Sequence, residues 1–222
     1  DYVARDECAR FRDDPNLIGY FYCDCPQWVH TRPGTEWRGS LADPSLLDSA
    51  AGRRKLSAIA DRYYQVTHDA IRRYDPNHLI LGDRWEANAP LPEEVVRAAA
   101  PYVDVFSFQC FGTVDNIVEK IRRWSDFGDH PILLADAAGH VRAPGDDAWP
   151  AIANRNHDAE HYRLVMDGLW DVPACVGYHL CGAHIRNNAR RCGFRDRTNR
   201  LIPETVDGIR AVNAEMQQRM DV

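Results

Sequence analysis

Five short apolar runs punctuate this chain, and helix-like stretches separate them. The runs are Leu17 to Tyr22, His78 to Gly82, Val103 to Gln109, Ile132 to Ala135 and Cys175 to Leu180. Most are apolar on successive residues rather than alternate ones. That pattern suits strands buried on both faces. Residues 45–74 carry Leu56, Ile59, Ala60, Tyr63, Val66 and Ile71 at three-to-four spacing, which predicts a helix ended by Asp75-Pro76-Asn77. Further helices are expected over 92–100, opened by Pro92-Glu93-Glu94, and over 114–127, 156–170 and 203–220. Residues 1–12 read as the end of a helix, closed by the turn Asp13-Asp14-Pro15-Asn16. Strands that alternate with helices in this way build a parallel sheet with crossover helices.

Two α/β architectures fit that order. A doubly wound sheet that binds phosphates places a glycine-rich loop after a strand, and neither GxGxxG nor GxxxxGK[ST] occurs here. The residues with chemistry sit instead where the strands run out, as on the C-terminal face of a (β/α)8 TIM barrel. A closed barrel needs about 250 residues and eight strands. The expectation is therefore one domain over 1–222, the last five βα units of a barrel, with roughly three units before Asp1. Such a piece leaves two sheet edges open. The N-terminal part of the barrel, or a partner chain, is expected to cover them.

Composition narrows the function classes. The 222 residues are 45% hydrophobic and 27% charged, an ordinary globular balance. A net charge of −6 with scattered basic residues argues against a nucleic-acid partner. No apolar run approaches the 18 or so residues of a membrane span, and no membrane partner is expected. The seven cysteines are an odd number in a chain that is not small, so a disulfide framework is not expected. Cys23-Asp24-Cys25 has no second CxxC or HxxxH to complete a zinc site. No cofactor and no metal are expected.

The strand ends carry the candidates. The fourth run stops on Asp136, followed by Ala137, Ala138, Gly139 and His140. An acid at a strand end with little bulk behind it suits a catalytic carboxylate, or the cap of a following turn. The first run leads to Asp24 and Cys25, and the second to Asp83, Arg84, Trp85 and Glu86. Arg84 beside Asp83 is expected to keep that acid ionised, which suits a base, a sugar-hydroxyl ligand or a scaffold contact. Gln109 ends the third run. Trp28, Trp37 and Trp85 lie in loops after the first two strands, where rings either stack on sugars or pack as core. His140, His179 and His184 suit hydroxyl binding, proton transfer or structural hydrogen bonds. Arg186, Arg190, Arg191 and Arg195, with Asn187 and Asn188, form a basic loop that suits an anionic glycan or plain solvation. Cys25 with His30 is a further, weaker nucleophile–base option.

The runs also resemble a known family. DPNLIGYFYCDCPQW, from Asp14 to Trp28, resembles the fourth strand of retaining TIM-barrel glycoside hydrolases, especially the agarase-like group, where a DP…IGYF run leads to Asn-Glu. RYDPNHLILGDRW, from Arg73 to Trp85, resembles their fifth strand, YVDVFSFQCF their sixth, HPILLADAAGH their seventh and CVGYHLCGAH their eighth. Cys192 to Asn213 resembles their closing loop and last helix. The resemblance implies cleavage of a poly- or oligosaccharide, possibly anionic, and secretion or a periplasmic location for such an enzyme. It places Asp24-Cys25 where the family has Asn and its acid/base Glu, and Asp136 where the family has its nucleophile Glu. A thiol is a poor substitute for a carboxylic acid. Asp136 with Asp24 is thus the expected catalytic pair, supported by Asp83. Two aspartates in place of two glutamates widen the gap and favour inversion. Arg84, Glu86, Gln109, Trp28, Trp37, Trp85, His140, His179 and His184 are the expected sugar-binding groups. Two other classes stay open. One is a carbohydrate-binding pseudoenzyme without the acid. The other is a metal-dependent hydrolase or lyase using the aspartates and a histidine.

Overall fold

The computed structural model describes residues 1–30, 39–137, 159–180, 194–195 and 198–221. It is an α/β protein whose five described strands come in alternation with helices. Two compact units emerge. One holds Asp1–Gln109 with His130–Ile132, the other Cys110–Asp129 with Leu133–Val222.

In the first unit, β1 (Gly19–Asp24), β2 (Leu79–Glu86) and β3 (Phe106–Gln109) lie side by side in that order. Both pairings are parallel, with Asp24 opposite Arg84 and Glu86 opposite Gln109. The strands are displaced from the apolar runs. β1 starts two residues late and continues to Asp24, because Leu17 and Ile18 lie before the first ladder pair, Gly19 with Leu79. β2 continues past Gly82 through the polar Asp83-Arg84-Trp85-Glu86, held there by its ladder to β3. Only the second half of the Val103–Gln109 run is a strand.

A short helix, α1 (Ala9–Phe11), follows a π turn over Ala4–Cys8. The long helix α2 (Ala50–Tyr74) is preceded by a 3-10 turn at Pro44–Asp48. Ser49 caps α2, its hydroxyl accepting the Gly52 N–H at 3.0 Å. Leu56, Ala60, Tyr64 and Ile71 lie on its buried face. The helix stops at Asp75, ahead of Pro76, with the Asp75 N–H donating to Ile71 O. Helix α3 (Glu93–Ala99) buries Val95, Val96, Ala98 and Ala99.

Gly82 is the one position in β2 where the backbone demands glycine. Its φ is +66°, and an added Cβ would stand 2.9 Å from Val103 Cγ1. Gly82→Ala is therefore expected to destabilise the protein by about 1–3 kcal/mol, read as a lower urea midpoint. An unchanged midpoint would contradict this reading of the β2 backbone.

The second unit holds α4 (Val114–Ser125), β4 (Ile132–Ala137, whose first residue groups with the first unit), α5 (Ala159–Trp170), β5 (Cys175–Leu180) and α6 (Pro203–Met220). Its apolar centre is Tyr162 on α5 with Ile209, Val212 and Met216 on α6. Tyr162 donates to Asn213 Oδ1 at 2.6 Å, and Arg163 pairs with Glu215 across the same helices. α4 packs on α5 where Gly168 meets Val118. β4 extends to Ala137, two residues beyond the expected end, so Asp136 lies within the strand. α4 is two residues shorter than expected, while β5 and α6 have the expected bounds.

Candidate functional site

The parallel register of the first unit brings one polar residue from each strand to the same end of the sheet. Arg84 of β2 lies opposite Asp24 of β1, and its guanidinium reaches Asp24 Oδ1 at 2.9 Å. Gln109, from the end of β3, donates a second hydrogen bond from its amide to the same oxygen. That amide also reaches the Arg84 carbonyl at 3.3 Å. The Cys25 thiol stands 3.5 Å from Asp24 Oδ1, and the Cys25 N–H donates to Arg84 O at 3.1 Å. Asp24 is 60% exposed in its side chain, whereas Arg84 is 22% exposed. The guanidinium also lies 5.5 Å above the Phe21 ring. An open carboxylate at the end of β1 is thus fixed by donors from β2 and β3, in an orientation that leaves it accepting. Cys25 itself adopts φ +50°, a left-handed backbone that is uncommon for a residue with a side chain.

Asp83 departs from expectation. It lies inside β2, one residue before Arg84, so strand alternation turns it to the opposite face. There it is fully buried. Tyr64 of α2 donates to Oδ2 at 2.6 Å and Tyr63 to Oδ1 at 3.0 Å. Trp85 donates to the Tyr64 hydroxyl at 3.1 Å, completing a closed polar cluster. Burial pushes the Asp83 carboxyl up to about 6, against the lowering effect of the hydrogen bonds from Tyr64 and Tyr63. Arg84, expected to keep Asp83 ionised, instead serves Asp24. Asp83 is therefore a buried acid between sheet and helix rather than an open supporting carboxylate.

Two of the three tryptophans are also core. Trp28 and Trp85 are each 1% exposed. Trp28 packs edge-on against Tyr63 with centroids 5.4 Å apart, and Trp85 packs against Phe106 and Phe108. Their burial leaves no ring face for a sugar, so the packing alternative holds for both. Of the α2 tyrosines that complete this cluster, Tyr63 is among the apolar helix positions picked out by spacing, and Tyr64, the fully buried one, is not. The trace of Tyr64 in the sequence is its place four residues after Ala60, on the buried spacing of the helix.

Glu86 ends β2 and is partly exposed, accepting from the Asn88 N–H at 3.3 Å. In the second unit, Asp136 is 6% exposed near the end of β4, and its carbonyl accepts from Cys110 N–H at 3.0 Å. His179 is on β5, with Nδ1 2.8 Å from Ala135 O. Trp37, His140, His184, Arg186, Asn187, Asn188, Arg190 and Arg191 lie outside the described residues. Among the described residues, no three His, Cys, Asp or Glu side chains gather in a way that would hold a metal ion. No helix among them is long and apolar enough to cross a membrane.

No family model matches the chain. Beta-agarase B of Vibrio sp. (strain JT0107) is 25% identical over 158 residues, covering 68% of this chain and 16% of that protein. A solved exo-beta-agarase structure superposes with a TM-score of 0.60 at 29% identity, over 76% of this chain and 23% of that one. The BpGH50 structure matches at a TM-score of 0.65 over 99% of this chain and 57% of its own length. At 16% identity, that match concerns the fold alone. The chain thus spans under a quarter of the length of the two agarases, and what it resembles is the agarase-like group of glycoside hydrolases.

Proposed function

We propose that this chain is part of a glycoside hydrolase that cleaves a poly- or oligosaccharide, and that residues 1–222 are one domain, the last five βα units of a (β/α)8 barrel. The observation that carries the reading is the convergence of Asp24, Arg84 and Gln109 at the carboxyl ends of three adjacent parallel strands. Active sites on α/β barrels are built at that edge. The likeness to agarases adds the substrate class.

Asp24 holds only donors: a guanidinium, an amide and a thiol. It is suited to accept a proton from water or to stabilise positive charge on the sugar ring, rather than to protonate a leaving group. Asp136 is proposed as a further catalytic carboxylate, on its match to the family's seventh-strand acid. Arg84 and Gln109 orient Asp24, and Glu86, His140, His179 and His184 are proposed sugar-facing groups.

The test is reducing-end release by the intact protein from a panel of neutral and sulfated galactans and other β-linked glycans. Asp24→Ala is expected to lower turnover of any hydrolysed glycan by at least about a hundredfold. Asp136→Ala is expected to do the same. A protein that hydrolyses nothing in the panel, or an Asp24→Ala variant with full turnover, would overturn the reading.

A further inference from the structure

Two thiols flank the carboxylate at the centre of the proposed site. Cys23 is exposed and Cys25 half-buried, and both stand reduced. Of the other described cysteines, Cys8 and Cys110 are buried, and burial pushes the Cys175 thiol up. The Cys23 sulfur lies 3.7 Å from the Asp24 carbonyl oxygen, and the Cys25 sulfur 3.5 Å from Asp24 Oδ1. We propose that Cys23 and Cys25 are a redox pair that closes a disulfide across Asp24 and so turns the site off. The bond is independent of the glycosidase reading above, and its effect on turnover rests on that reading.

The backbone admits the ring. Asp24, the residue between the two cysteines, is the last of β1 and extended. Two residues of strand rise about 6.6 Å. Disulfides join Cα atoms about 4.4–6.8 Å apart, most often about 5.5–6 Å. Closure therefore draws Cys23 and Cys25 together by about 1 Å. The chain on either side can yield. From Phe21 to Asp24 β1 advances three residues while β2 advances two, from Gly82 to Arg84. Tyr22 and Cys23 make up that bulge, where the ladder is interrupted. Cys25 lies past the end of the strand, with φ +50°. What opposes closure is the pairing of Asp24 with Arg84 and the Cys25 N–H on Arg84 O. Those are the contacts that a closed ring gives up.

The oxidant is a small-molecule disulfide. Cys23, the more exposed thiol, gives its proton to solvent, and its sulfur attacks one sulfur of the oxidant. The oxidant's S–S bond breaks, and one small thiolate leaves and is protonated. Cys25 then loses its proton, attacks the Cys23 sulfur of the mixed disulfide and expels the second small thiolate. Two protein thiols and one disulfide thus become one protein disulfide and two small thiols. Strain in so short a ring favours reduction, so the bond is reversible. Closure shifts Asp24 off Arg84 and Gln109, and a misplacement of about 1 Å costs about a hundredfold in rate.

The test equilibrates the intact protein in glutathione buffers from fully reduced to fully oxidised, followed by an acid quench and trypsin. Residues 13–38 form one tryptic peptide, because Pro33 blocks cleavage after Arg32, and it holds Cys23 and Cys25 and no other cysteine. In oxidising buffer that peptide is expected to lose two hydrogens in mass. Hydrogen exchange of the Cys25 amide should quicken, since its bond to Arg84 O is lost. Glycan turnover should fall about a hundredfold and return on reduction. Cys23→Ser is expected to keep full turnover in every buffer, with unchanged Cys25 exchange. A peptide that keeps its mass or carries only a glutathione adduct would overturn the proposal. So would a bridged protein with unchanged Cys25 exchange, or one with full turnover. If the unsubstituted protein cleaves no glycan, the glycosidase reading alone fails, and mass and exchange still decide the pair.

Discussion

Asp83→Asn is expected to gain stability against the unsubstituted protein as pH rises from about 4 to 7. Burial raises the Asp83 carboxyl from 3.8 to about 6. In that interval the folded protein holds a proton at Asp83 that the unfolded chain has already lost. Its contribution to stability is therefore fully present below the unfolded value and is lost as pH climbs through the folded one. Two pH units correspond to about 3 kcal/mol. Asparagine is isosteric, carries no charge to desolvate and still offers an oxygen to Tyr64 or Tyr63. Urea unfolding at pH 4.5, 5.5 and 7 should show the two proteins diverging by up to about 3 kcal/mol, and parallel curves would refute the assignment. Asp83→Ala is a different case. It strips the acceptor from two tyrosine hydroxyls, one of them on a fully buried side chain, and opens a cavity. It is expected to cost about 2–4 kcal/mol at pH 5.

The second large effect is expected at the opposite end of the same strands. Asp75 is fully buried and takes four hydrogen bonds: from the Tyr20 hydroxyl at 2.6 Å, from His78 Nδ1 at 2.6 Å, from the Asn77 N–H at 2.8 Å and from the His78 N–H at 3.1 Å. Burial pushes its carboxyl up, but the bonds from Tyr20, His78 and Asn77 outweigh that and hold it below the usual carboxylate range. Asp75→Ala leaves those donors unsatisfied where α2 turns into β2, and about 2–4 kcal/mol is expected to be lost. The other ring nitrogen of His78 lies 2.9 Å from Asp14 O, so both nitrogens face acceptors. The Asp75 hydrogen bond, and next that to Asp14, raise the affinity of His78 for its second proton. Stability from this pair is present below the imidazole's ordinary value near 6.5 and is lost as pH rises through its raised value. The Asp75 contribution runs the other way: it is present above about 3.8 and is lost as pH falls through its lowered value. A His78→Gln variant should remove the near-neutral step in stability and keep the acidic one. An unchanged step between pH 6 and 8 would contradict the role of His78.

The existence and order of the elements could be read from the chain, because periodicity is local. Continuous apolar runs mark strands buried on both faces, and three-to-four spacing marks helices. β5 and α6 emerged with the expected bounds, and the first four strands were found with their ends displaced. Strand displacement has a large effect on side-chain direction, since one residue along a strand reverses the face. Taken as a cluster following Gly82, the residues Asp83, Arg84, Trp85 and Glu86 read as one polar group at an open mouth. The ladder to β3 keeps them in the strand and sorts them alternately. Asp83 and Trp85 go to the tyrosines of α2, while Arg84 goes to Asp24. The sequence by itself thus determined the βα alternation and named Asp24, Arg84 and Gln109 as residues at strand ends. Only the tertiary structure decided that these three meet, that Asp83 is buried away from them and that Trp28 and Trp85 are core. Those outcomes depend on inter-strand register and on a helix packed against the sheet, neither of which leaves a local pattern in the chain.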